Sequence, residues 1–383
     1  MRRFAPALLQ VLLSLLIALA FLAAVEGLLR LVKVRVAGQA SVPQWMDPET
    51  AEFLAKWTAQ RGISLTDVAD LAGWDRDPAL RWRLKPNLQM TARNIFVDQD
   101  RDMWTTWRLT TNSRGFRTPE FSPARTPGTL RVVVLGDSNS MGWLLDDDNT
   151  YPRRLEAHLA ALSGRRVEVI NLGVGNYTSF SVRRLFTQVA LPLAPDAVVL
   201  SFGANDSQQM RSTDAEYAAM FAGASGRFRH WLSQLRLAGL AQRLFPARTS
   251  GLVPRVPPDD FAANLEGILA ETTRLSLPVV FLKVCCCSKE YHDRLLDVLN
   301  RSRTPLLDAN DVLRQSLQDR SVQESSHQIV AGIAALYPAQ ERAENPDLQV
   351  YFRDLCHLNP FGADLIARRI AAALTERLGT ARQ

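Results

Sequence analysis

The chain has 383 residues, 47% hydrophobic and 22% charged, with 45 Lys+Arg against 39 Asp+Glu for a formal net charge of +6. That length and apolar content suffice for one or two buried cores and exclude disorder as the default state. The positive excess is dilute and lacks Lys/Arg runs interleaved with aromatics, so no nucleic-acid partner is expected; a weak preference for anionic lipid or polysaccharide stays open.

The first element is an apolar run. Phe4 to Val25 gives 22 residues without a charge, enough to cross a bilayer as a helix at ~1.5 Å per residue. Ala18-Leu19-Ala20 has the small residues of a processing site. The run nevertheless exceeds the usual apolar region of a signal peptide and continues amphipathically through "GLLRLVKV", so an uncleaved anchor over residues 1–35 is expected. Arg2 and Arg3 on one side face Arg30, Lys33 and Arg35 on the other, which leaves orientation undetermined. Residues 36–127 read as a connector leading into a small β-rich region. In it "LRWRLKPNLQMTARNIFV" and "MWTTWRLTTNSRGF" predict two or three short strands and a turn at Asn112-Ser113-Arg114-Gly115.

From residue 128 to 383 the pattern alternates. Within "LRVVVLG", Val132 to Leu135 is an apolar, mostly β-branched run, as in a strand covered on both faces. A helix follows with Thr150 as N-cap, Pro152 in its first turn and Gly164 as its stop. Then come strand "RVEVINLG", helix "SFSVRRLFTQVALPL", strand "DAVVLSFG", a helical stretch near 210–222 and a Pro-interrupted segment at 246–258. Helix "DDFAANLEGILAETTRL", strand "PVVFLKV", helix "KEYHDRLLDVLN", strand "TPLLDA" and helix "GADLIARRIAAALTERL" complete the chain. About five strand–helix units argue for an open parallel sheet with helices on both faces, and ligands in such sheets sit at the carboxyl ends of the strands. The segment "FRHWLSQLRLAGLAQRLF" reads most simply as packed on the core, with a lid or membrane-facing helix as the functional alternative. Residues 320–350 look like an insertion shaping the cleft.

Those strand ends carry the chemistry. The first delivers Gly136-Asp137-Ser138, the second the small-residue loop "NLGVGNYTS", the third Gly203-Ala204-Asn205-Asp206. Just before the last helix, "DLCHLNPFG" places Asp354 three residues ahead of His357, close enough in a turn for the carboxylate to orient one imidazole nitrogen and leave the other as a base. A hydroxyl, a base, an orienting acid and oxyanion donors are the parts of nucleophilic acyl transfer. His158, His230, His292 and His327 have no such context and read as solvated or structural. Of the four cysteines, the consecutive Cys285, Cys286 and Cys287 cannot all face one ion. They read as small apolar side chains at a strand end, against the alternative of a disulfide between Cys356 and one of the triplet. No metal site and no cofactor are expected.

Taken together, Gly136-Asp137-Ser138, the Asn171–Ser179 loop, Gly203-Ala204-Asn205-Asp206, and Asp354-x-x-His357 with Asn359-Pro360 and Gly362 resemble the SGNH hydrolases, or GDSL-type esterases, over about residues 128–378. The resemblance implies a three-layer α/β/α, flavodoxin-like fold with a five-stranded parallel sheet. It also implies Ser138 as nucleophile, His357 as base and then acid, and Asp354 as its orienting residue. The oxyanion donors would be the Ser138 N–H, an N–H of the second block and the Asn205 amide. Where the family's second block ends in glycine, this chain has Asn176, with Gly175 one place earlier, so either residue could be the second donor. There is no G-x-S-x-G around Ser138, which argues against an α/β-hydrolase. The upstream "EGLLRL", "LRWRLKPN" and "TTNSRGFRTPEF" resemble membrane-anchored SGNH proteins of bacterial envelopes. This implies an inner-membrane anchor, an extracytoplasmic catalytic domain, an acylated polysaccharide substrate and envelope-biosynthesis proteins as partners. The leading expectation is an esterase removing acyl, chiefly acetyl, groups from envelope carbohydrate. A polysaccharide O-acetyltransferase or a non-catalytic polysaccharide-binding member are the alternatives.

Overall fold

The computed structural model describes residues 4–31, 55–56, 58–59, 73–94, 104–233, 235, 237, 251–284, 288–317, 348, 351–354 and 356–380. Helix α1 (Phe4–Leu31) comes first, and its Leu12–Leu29 window has mean hydropathy 2.5 with most of its large apolar side chains exposed. By length and composition it can cross a membrane. Two antiparallel ribbons follow, β1 (Trp74–Asp77) with β2 (Arg81–Leu84), and β3 (Gln89–Arg93) with β4 (Thr106–Thr110). The β-rich region therefore has four strands in two separate ladders, more than the two or three expected, because positive φ at Arg81 and Asn87 turns the chain sharply between short runs. The turn at Asn112–Gly115 forms as expected, with the Gly115 N–H donating to the Asn112 carbonyl.

Next come β5 (Leu130–Gly136), the one-turn α2 (Ser138–Met141), α3 (Tyr151–Ser163), β6 (Val167–Asn171), α4 (Ser179–Leu185) and β7 (Ala197–Ser201). After a two-residue β8 (Gln209–Met210) lie α5 (Asp214–Met220), α6 (Gly223–Ser233) and β9 (Val253–Pro254), which pairs with β8. The remainder is α7 (Pro258–Arg274), β10 (Val279–Lys283), α8 (Lys289–Ser302), β11 (Leu306–Asp308), α9 (Ala309–Gln315) and α10 (Pro360–Thr380). Five strands form one parallel sheet in the order β11-β10-β7-β5-β6.

Alternate residues of each strand face opposite layers. Val133 and Leu135 of β5 join one core with Ile170, Leu200, Phe281 and residues of α4, α7 and α8. Val132 and Val134 join the other with Val199, Leu282 and residues of α3, α9 and α10. Burial on both faces is why these strands are mostly apolar, with the Arg131–Glu168 pair an exception in β5 and β6. The β1–β2 and β3–β4 ribbons, through Trp82 and Trp107, belong to the first core and extend it over one end of the sheet.

Two local expectations change. Thr150 stands at the N-cap of α3, but its hydroxyl donates to the Asp147 carbonyl instead of accepting from the helix. Helix α6 is docked through buried Gly226 and an edge contact of His230 with Phe221, while Phe228 and Trp231 stack on each other at 61% and 54% exposure. Its aromatic face lies outside the core, and residues 238–245 of the same segment fall outside the described residues. The Cys285–Cys287 triplet, His327 and the 320–347 insertion fall outside the described residues.

Candidate active site

The second strand in sequence (β6) lies on one side of the first (β5) and the third (β7) on the other, so the chain reverses direction across the sheet at β5/β7. Open α/β sheets bind ligands at that crevice. The loops leaving these two strands carry Ser138 and Asn205.

Ser138 opens α2 directly after β5. Asp137 caps this turn, accepting from the Asn139 N–H at 3.0 Å. A helix start leaves its first N–H groups without intrahelical acceptors, and the Ser138 N–H has no acceptor among the described residues. Ser138 is not among the residues with positive φ, unlike the strained elbow of an α/β-hydrolase. Burial pushes the Asp137 carboxyl up to about 6, against the Asn139 N–H and nearby His357, which pull it down.

The base arrives from a tight turn. Phe352 bridges Leu358 antiparallel, and the Arg353 N–H donates to the His357 carbonyl at 2.7 Å. Asn359 then starts α10, accepting from the Phe361 and Gly362 N–H groups at 3.0 Å, with Pro360 next, where a missing N–H costs nothing. Inside the turn one Asp354 oxygen accepts from the Cys356 and His357 N–H groups at 2.7 and 2.6 Å. Its other oxygen meets His357 Nδ1 at 2.7 Å, and His357 Nε2 lies 2.7 Å from Ser138 Oγ. Burial alone would raise the Asp354 carboxyl. The charge of His357 and the hydrogen bonds from His357 and Cys356 outweigh it and hold the group below the usual carboxylate range. The structure thus joins Ser138, His357 and Asp354 in one hydrogen-bonded chain. Cys356, between the acid and the base, is disulfide-bonded.

The second-block loop packs against α2. Asn171 donates to the Ser140 carbonyl at 2.8 Å and accepts from the Gly173 N–H at 2.9 Å. A Cβ on Gly173 would sit 2.5 Å from Ser140 Cβ, so only glycine permits this approach. The Gly175 N–H points at Met141 Sδ, 3.3 Å away. Asn176 adopts φ 63°, a left-handed conformation that asparagine tolerates, and its N–H has no acceptor among the described residues. Asn205 donates one amide hydrogen to the Tyr177 carbonyl at 3.1 Å, which leaves the other available.

Several contacts here had no signal in the sequence. Trp143 lies edge-on to His357 with ring centroids 4.6 Å apart. Arg117, from the turn after β4, donates to the Met141, Gly142 and Leu145 carbonyls and to Asp147. Trp82 of β2 donates to the Gly175 carbonyl at 3.1 Å, and Tyr177 donates back to the Trp82 carbonyl at 3.0 Å. The small ribbons therefore support the loops of the site. Partners at such sequence distance follow no period that a motif reading could detect. Among the described residues no three His, Cys, Asp or Glu side chains cluster to hold a metal ion.

Residues 134–365 match the GDSL-like Lipase/Acylhydrolase family. Similar solved structures include a lipase/acylhydrolase from Enterococcus faecalis (17% identity, 64% of this chain and 96% of that chain, TM-score 0.37). Others are the psychrotrophic esterase EstA from Pseudoalteromonas (12%, 65% and 99%, TM-score 0.36) and an acetyl-xylooligosaccharide esterase from Geobacillus (14%, 67% and 97%, TM-score 0.37). No curated protein matches. The family match spans more than half of the chain and contains every strand of the parallel sheet from the end of β5 onward; the chain belongs to the GDSL-like lipase/acylhydrolase family, whose members hydrolyse ester bonds.

Proposed function

We propose that this protein is a serine esterase that removes acyl groups, acetyl foremost, from a cell-envelope carbohydrate. The observation that carries the chemistry is the Ser138 Oγ–His357–Asp354 chain, with both links at 2.7 Å. Ser138 Oγ attacks the ester carbonyl as His357 Nε2 takes its proton, and Asp354 holds the imidazole and stabilises the charge it gains. The oxyanion is received by the Ser138 and Asn176 N–H groups and the free amide hydrogen of Asn205; the Gly175 N–H is already directed at sulfur. His357 then returns the proton to the leaving sugar oxygen, an acyl-Ser138 ester remains, and a water activated by the same imidazole releases the acid. Aromatic surface supports a sugar substrate: Trp143 lies beside His357, and Phe361, 41% exposed, meets Trp104 edge-on. Flat apolar rings fit the C–H faces of pyranoses. Helix α1 and the disulfide at Cys356 support an anchor in the inner membrane with the catalytic domain on its oxidising side.

The test is acetate release from an O-acetylated polysaccharide by the full-length chain in detergent. Ser138→Ala should lower the rate about 10⁶-fold. Turnover of small esters with none of the polysaccharide would remove the carbohydrate from the proposal. Acetate appearing on an added glycan in place of free acid would assign transfer instead of hydrolysis.

A further inference from the structure

We infer that Gln208 and Arg255 are positioning residues for the oxyanion site: together they fix which end of the Asn205 carboxamide faces the reacting carbonyl. The inference rests on the reading of Asn205 as an oxyanion donor. A carboxamide has two ends of nearly equal shape and opposite polarity. Turned by half a rotation, Asn205 would present Oδ1 to the developing negative charge and repel it. Something must select the productive orientation.

The selection starts at a buried guanidinium, which can only donate. Arg255 is fully buried and donates through Nη1 to Gln208 Oε1 at 3.0 Å and to the Asn176 carbonyl at 2.8 Å. Gln208 Nε2 must therefore face away from Arg255, and its two hydrogens go to Asn205 Oδ1 at 2.8 Å and Asn176 Oδ1 at 2.9 Å. Reversing Gln208 would set its amide hydrogens against Arg255 and its oxygen against two carboxamide oxygens. With its Oδ1 so engaged, Asn205 can only turn Nδ2 toward the Tyr177 carbonyl and the site.

Arg255 itself cannot rotate. Asp214 receives its Nε and Nη2 at 3.2 and 3.0 Å, together with Arg81 Nε at 2.6 Å and the Thr178 hydroxyl at 2.7 Å. The Trp82 ring lies 5.0 Å from the guanidinium carbon. A buried ion pair thus dictates, through one glutamine, the polarity of a side chain at the reaction centre. The same guanidinium holds the carbonyl of Asn176, the second-block donor.

The experiment compares Gln208→Glu, Gln208→Met and Asn205→Ala in the full-length chain, by steady-state hydrolysis of p-nitrophenyl acetate. Glutamate keeps the acceptor for Arg255 but offers Asn205 an acceptor where it had a donor, so the carboxamide turns over. Methionine offers neither. The expected result is a kcat loss of about 10²-fold for Gln208→Glu, approaching that of Asn205→Ala, against about 5-fold for Gln208→Met, with KM little changed throughout. In an Asn205→Ala background, Gln208→Glu should cost nothing more, because both changes remove the same donor. A Glu variant no worse than the Met variant would mean that the hydrogen bonds only brace the loop and would overturn the inference. Wild-type kcat in Asn205→Ala would instead overturn the oxyanion reading beneath it. Should Gln208→Glu fail to fold, the Met variant decides: an unchanged kcat overturns the inference, and a loss in kcat alone supports it.

Discussion

Asp206 shows how one side chain in a short motif serves the fold and not the reaction. It accepts from the Ser179 N–H and hydroxyl at 3.0 and 2.5 Å, fixing the start of α4 beside the second-block loop. Burial nonetheless raises its carboxyl from 3.8 to about 7, because desolvation outweighs the Ser179 hydrogen bonds and the charge of Arg255. A folded-state pKa above the unfolded value contributes stability that is complete below about pH 4 and is lost as pH rises through about 7. Asp206→Asn removes that titration, so its Tm relative to wild type should climb between pH 4 and pH 8. A difference independent of pH would contradict the assignment. At this scale the sequence was informative where a residue type and its spacing carry chemistry: Ser138, Asn205, Asp354 and His357 stand at strand ends or in one turn. Trp143, Gln208 and Arg255 could not be read, because their roles depend on contacts that no local pattern encodes.

Helix α2 has only four residues and cannot be stable by itself. It exists because both ends are supplied from outside: Asp137 caps the start, and Arg117 gathers the Met141, Gly142 and Leu145 carbonyls at the end. Lysine cannot reproduce that planar fork. Arg117→Lys should therefore lower stability by about 3 kcal/mol and slow turnover together, read by thermal unfolding and ester hydrolysis. Unchanged stability would show that α2 stands without it. The acid–base turn has a comparable support in the Cys356 disulfide. A thiol reductant should lower kcat while the sheet stays folded, and full activity after complete reduction would deny the bond that role. Strands β5, β6, β7 and β10 were legible because burial on both faces selects short stretches rich in β-branched apolar residues. The β1–β4 ribbons were undercounted, since their strands are four or five residues long and half-covered. The start of the 228–245 segment misled because apolar residues at helical spacing usually mark a core face, and here Phe228 and Trp231 point outward.

Across the whole molecule, the sheet order puts the Ser138 and Asn205 loops on either side of the strand reversal, while the turn before α10 brings His357 in from the far end of the chain. The β1–β2 ribbon joins the second-block loop through Trp82, and α1 lies exposed along its apolar length. Alternating strands and helices made this architecture legible in the sequence. What stayed hidden was the use of the upstream ribbons as a brace for the second-block loop, since Trp82 and Gly175 are 93 residues apart. The central claim is that Ser138 is an activated nucleophile facing a formed oxyanion site. The most direct measurement is covalent labelling of the full-length chain by a fluorophosphonate, located by mass spectrometry, beside Ser138→Ala and His357→Ala. The account predicts one adduct, on Ser138, absent from both variants. A folded wild-type chain that takes no label, or takes it elsewhere, would contradict it.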